Sequence, residues 1–166
     1  MYSYHENVKV LPLLAPQDIV ATATASQYIN VANAPGVIEF SVPFGAVAST
    51  DSTGEVVVTV EASTAGSSNA TETAIAFRYR LSAAVATDTM GALTSATAAG
   101  AAVNNTDDNK VLSIFVESGA LAVVGADFQY LRLVITPTAE ITSTIIGGVQ
   151  ARFLPRYSGA SIPSST

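Results

Sequence analysis

The stretch FQYLRLVITPTAEITSTIIGGVQARFLPRY, residues 128–157, decides the fold. Leu131, Leu133 and Ile135 fall on one side of an extended chain and Arg132 on the other. That is the period-two alternation of a half-buried strand. A short polar turn then leads into a second strand-forming run, residues 141–154, so the two read as a hairpin. Gly147-Gly148 inside the second run predicts a bulge, a bend or a close backbone approach. Pro155 ends the sheet and releases a polar tail.

The same alternation recurs upstream. Residues 73–81 place Ile75, Phe77, Tyr79 and Leu81 on one face, with Arg78 and Arg80 on the other. Residues 55–61 turn Val56, Val58 and Val60 inward, with Glu55, Thr59 and Glu61 outward. Residues 37–42 put Ile38, Phe40 and Val42 opposite Glu39 and Ser41. Further strands are expected over 18–24, 27–31 and 110–117. Residues 83–109, rich in Ala, Thr, Gly and Asn, read as long loops with one short helix or strand around 87–93. About eight strands divided by Gly, Pro, Asn and Ser turns, with no long amphipathic helix, predict an all-β fold: an antiparallel β-sandwich, jelly-roll-like.

The chain of 166 residues reads as one domain, residues 17–157, with an N-terminal arm, 1–16, and a C-terminal tail, 158–166. In the arm, Tyr2, Tyr4, Val8, Val10, Leu11, Leu13 and Leu14 are apolar or aromatic, while Pro12 and Pro16 disfavour a helix or a central strand. Such an arm is either held by neighbouring subunits or folded over its own core. Those seven residues, with Arg156 and Tyr157 at the other end, are the candidate assembly contacts. Removing residues 1–16 is expected to leave the sandwich folded and to weaken assembly.

Charged residues make up only 12% of the chain, about half the usual share. A weakly charged surface is cheap to cover with neighbouring protein, because few ions must be desolvated. The net charge of −6 opposes general nucleic-acid binding, which rests on Lys and Arg contacts to phosphates. No apolar run reaches membrane-spanning length. The N-terminus lacks the basic start and long apolar run of a signal peptide. With no cysteine, disulfides and thiolate chemistry are excluded.

Candidate chemistry is sparse. His5 is the only histidine and has no Ser or Asp cluster around it, so a catalytic triad is not supported. The oxygen-rich run Asn104-Asn105-Thr106-Asp107-Asp108-Asn109 could offer calcium ligands, but it lacks EF-hand spacing, and Asx residues also serve ordinary turns. Glu39, Glu55, Glu61 and Glu117 are singletons on outward strand faces, and nothing selects a glycosidase pair among them. Arg78, Arg80 and Arg132 would form a small basic patch if their strands were neighbours; cross-strand pairing with the glutamates is the simpler account. Gly147-Gly148 lacks the following helix that a phosphate-binding loop needs. The chain is therefore not expected to be an enzyme. No catalytic, cofactor-binding or metal site is assigned, and no cofactor is called for.

The order of segments carries one further signal. Gln27-Tyr28-Ile29, Val37-Ile38-Glu39-Phe40 and residues 55–61 (EVVVTVE) are followed by residues 130–136 (YLRLVIT) and 147–156 (GGVQARFLPR). This layout, spanning residues 26–157, resembles small β-sandwich structural proteins of tailed bacteriophages that are encoded with head genes. Residues 83–109 stand outside the resemblance. It implies a virion component, most directly a decoration or cement protein on the capsid surface, made in the host cytoplasm. The implied partners are the major capsid protein and further copies of the chain in a homo-oligomer, with no nucleic acid and no membrane. A tail or head–tail component, or an extracellular adhesin or carbohydrate-binding β-sandwich, stand as the alternatives.

Overall fold

The computed structural model describes residues 8–32, 36–67, 70–84, 89–117 and 119–153. They form a sandwich of two antiparallel sheets. The first sheet has the order β1 (Lys9–Leu14), β14 (Val149–Phe153), β5 (Val37–Ser49), β11 (Val111–Glu117), β8 (Phe77–Leu81), β9 (Thr94–Ala96). β13 (Ile141–Ile146) continues the line of β14 along β5, and β2 (Gln17–Asp18) continues the line of β1 along β13. The second sheet has β6 (Glu55–Ser63) and β12 (Tyr130–Pro137) at its centre. β10 (Ala101–Asn104) and β7 (Glu72–Ile75) flank β6, while β3 (Thr24–Ala25) and β4 (Ile29–Asn30) flank β12.

The alternation read from the sequence becomes the core. Ile38, Phe40, Val42, Leu112, Ile114, Val149 and Ala151 face inward from the first sheet. Val56, Val58, Val60, Leu131, Leu133 and Ile135 meet them from the second, all fully buried. Each such side chain contributes about 1.5–3 kcal/mol on leaving water.

Several expectations are corrected. The stretch 128–157 is not a hairpin. β12 lies in the second sheet and β13–β14 in the first, so the turn at Thr138–Ala139–Glu140 is an arch across the sandwich. Residues 73–81 divide at Ala76: β7 belongs to one sheet and β8 to the other, which lets Ile75 and Phe77 both point into the core. Residues 18–24 are mostly not strand. Ala21 adopts a left-handed φ of 55°, and the chain there crosses from β2 to β3. Residues 83–109 hold β9 and β10, which small residues concealed: Ala96, Ala101 and Val103 are buried without long apolar side chains to announce them. A short helix, α1 (Gly119–Val124), caps one end and buries Leu121. The expected strand end at Pro155 lies outside the described residues.

Gly147-Gly148 is the predicted bend. The Gly147 amide donates to the Pro43 carbonyl at 2.7 Å, where β5 exchanges β14 for β13 as its partner. Gly148 has a φ of +95°, and a Cβ there would stand 2.6 Å from the Leu14 carbonyl oxygen. Gly36 also has a positive φ, +87°, but open space around it. Gly148→Ala is therefore expected to cost about 2–4 kcal/mol, strain plus collision, while Gly36→Ala costs about 1 kcal/mol. Urea unfolding of both variants checks this.

Candidate functional site

Of the candidate assembly contacts, Tyr2, Tyr4, Arg156 and Tyr157 lie outside the described residues, as does His5. The other five lie on or just before β1. This strand forms one edge of the first sheet and pairs with β14 from Lys9↔Phe153 to Leu14↔Val149. Pro12 is tolerated there because an edge strand need not donate on its outer side. Leu13 is 2% exposed and belongs to the core, and Leu11 and Leu14 pack against it. Their apolarity serves this chain's own fold. Val8 is half-buried, and Val10 is 43% exposed on the outer face. The part of the arm that is described is thus a strand of the sandwich, so removing residues 1–16 would take away a core leucine and a five-position ladder.

Register places one row across the outer face of the first sheet: Val10, Arg152, Glu39, Phe115, Arg78 and Ser95, each opposite the next. One row further along, Gln150, Ser41, Ser113 and Arg80 align in the same way. Arg78 pairs with Glu117 at 2.5 Å, well exposed to water, which makes the pair worth little. Arg80 has no acidic partner among the described residues. Arg132 stands in the other sheet, so the three arginines do not form one patch.

Arg132 is the centre of the densest polar cluster. Its Nε and Nη2 reach Glu61 at 2.8 Å, Nη2 also meets Glu72, and its guanidinium lies 4.8 Å from the centroid of the Tyr28 ring. The Tyr28 hydroxyl donates to Glu72. Glu61 and Arg132 are directly opposite on β6 and β12, Glu72 comes from β7, and Tyr28 folds in just before β4. The cluster therefore ties four strands of the second sheet together on its outer face. Burial pushes the Tyr28 hydroxyl above the usual tyrosine range, its hydrogen bond to Glu72 adds to this, and the Arg132 charge opposes it. Burial alone would lower the Arg132 pKa, but the hydrogen bond and charge of Glu61, with further help from Glu72, hold it above the usual arginine value. Each carboxylate is held by the cation, and the geometry is that of a clasp.

The run Asn104–Asn109 likewise spends its oxygens on the fold. Asp107 accepts from the Asn104 amide at 3.1 Å and from Lys110 Nζ at 2.8 Å. Asp108 accepts from the Val47 amide at 2.6 Å, and Asn105 donates to the Asp51 carbonyl at 3.0 Å. Nearby, Asp51 accepts from both the amide and the hydroxyl of Thr53, the hydroxyl first in weight, which lowers its pKa. Among the described residues no group of three His, Cys, Asp or Glu is arranged to hold a metal ion. Among the described residues no helix is long and apolar enough to cross a membrane.

No protein-family model matches the chain, and no curated protein matches it. Among solved structures, 96% of the chain aligns with a chain of infectious bursal disease virus, Gt strain, at 10% identity and a TM-score of 0.25. The alignment spans 44% of that viral chain, and a likeness of this size carries no weight for fold or function.

The clasp has measurable consequences. Arg132→Ala leaves two half-buried carboxylates without their cation and is expected to cost about 1–3 kcal/mol in urea unfolding. The folded protein binds the Tyr28 proton more tightly than the unfolded chain does. That contribution is complete below pH of about 10 and is lost as pH rises through the folded value. Stability measured between pH 8 and 11 should thus fall at the alkaline end, and Tyr28→Phe should remove part of that fall.

Proposed function

We propose that this chain is a non-enzymatic structural component of a virion, acting as a decoration or cement protein that bridges neighbouring shell subunits. The observation that carries the reading is the edge formed by β1. The first and last described strands lie side by side there, and Val10 is exposed on the outer face, in a chain of which only 12% is charged. Residues 1–7 and 154–166, which adjoin these strands in sequence and lie outside the described residues, include Tyr2, Tyr4, Arg156 and Tyr157. A cement protein does no chemistry. It needs a rigid body, surfaces that cost little to desolvate and segments that reach a neighbour. Apolar contact supplies about 25 cal/mol per Å² before association costs are met, and a symmetric shell multiplies modest affinities. The resemblance of the segment order to small phage head proteins is in line with the same reading.

The test is co-sedimentation of the purified protein with empty shells assembled from the major shell protein of the same virus. Binding, together with a higher melting temperature of the decorated shells, is the expected result. Assembly into tail tubes without shell binding, or retention on a glycan array instead, would overturn the reading. Removal of residues 1–7 should leave the protein's own melting temperature within a few degrees and weaken shell binding at least tenfold. Leu13→Ala should cost about 2–5 kcal/mol of folding stability. Deletion of residues 1–16 should therefore lower the melting temperature as well as shell binding, and differential scanning calorimetry separates the two truncations.

A further inference from the structure

The first sheet carries a second feature that the edge does not use. On its outer face, Val37, Leu93, Phe115, Arg78 and Arg80 line a hollow of about 340 Å³. Val37 is 45% exposed and Leu93 is 42% exposed, so two of the large apolar side chains that the described surface leaves in water meet in one depression. A second hollow of about 260 Å³ adjoins it toward α1, and Arg78 and Phe115 line both.

The charges of this face are unequally committed. Arg78 is matched by Glu117, whereas Arg152, toward the β1 edge, and Arg80, in the hollow, make no ion pair among the described residues, in a chain of net charge −6. A guanidinium presents a fork of donors that suits a carboxylate, and here it stands over apolar walls. A nucleic acid would find only two arginines beside the Glu117 carboxylate, too few for phosphate-driven binding.

We infer that this hollow docks an extended apolar segment bearing a carboxylate, presented by the shell protein. Val37, Leu93 and Phe115 take its apolar side chains, and Arg80 takes the carboxylate. The inference rests on the structural role proposed above and assigns a docking face to it, separate from the β1 edge.

The experiment is co-sedimentation with empty shells of the wild type, Arg80→Glu, Arg80→Lys, Leu93→Asp and, at the far edge, Val20→Asp. The exposure of all three positions keeps the fold intact, and thermal melts verify this. The expected result is at least tenfold weaker binding for Arg80→Glu and Leu93→Asp, an intermediate loss for Arg80→Lys and none for Val20→Asp. Wild-type binding should also weaken with salt more steeply than that of Arg80→Glu. If the wild type binds and the two face variants bind equally well, the docking face is wrong while the structural role stands. If the wild type does not bind shells, both fall. If sedimentation velocity instead shows the protein associating with itself through Arg80 and Leu93, the occupant is a second copy and the inference is overturned.

Discussion

Three neighbouring strands must bend at the same place, and the rest of the sandwich depends on it. β5 is thirteen residues long and is flanked on one side by two shorter strands in series. Where β14 gives way to β13, Gly148 takes a backbone conformation that other residues resist, and the Leu14 carbonyl sits where its side chain would be. β1 and β2 break beside that point, around Ala15 and Pro16. Pro43, which has no amide to donate, occupies the corresponding position of β5 and contributes only its carbonyl. With the bend shared, β5 stays paired over most of its length, and its inward side chains from Ile38 to Val47 form one unbroken wall of the core.

The two outer faces use their charges differently. On the second sheet, Arg132 gathers two glutamates and a tyrosine into contacts that hold strands together. On the first, Arg78 and Glu117 make a loose, hydrated pair, and Arg80 is left to solvent beside apolar neighbours. Internal pairing spends charge on stability, whereas an uncommitted cation beside exposed valine and leucine is a surface that gains by being covered. The difference gives the molecule one face suited to keeping its shape and another suited to contact.

What was legible in the sequence was whatever alternation alone determines. Val56, Val58 and Val60, or Leu131, Leu133 and Ile135, point inward wherever their strand is placed, so the core and the all-β class followed from period two. Alternation says nothing of which sheet a strand joins. The turn after Pro137 was readable as a turn, but the choice between hairpin and arch is made by partners 70 or more residues away, such as Arg132 with Glu61. β9 and β10 were missed because alanine buries without a conspicuous signal. In β1 the sequence shows apolar side chains but not whether a neighbour or the chain's own core takes them, and Leu13 is taken by the core. The hollow beside Arg80 had no signal in the sequence, since Leu93 reaches it from a segment that reads as loop.

The pairing of β1 with β14 also sets a clock. Lys9 is matched to Phe153, so β1 waits for a partner strand synthesised 144 residues later. At about 5–20 residues per second, the intervening chain takes roughly 7–30 s to synthesise. Throughout that interval Leu11 and Leu13 lack the strand they pair beside in the finished sheet. Successive strands that alternate between sheets lengthen the wait, because long-range pairing is slow. Yield in the cell should then depend on how β1 is shielded during synthesis, a kinetic demand that the finished sandwich, with Leu13 sealed inside it, no longer displays.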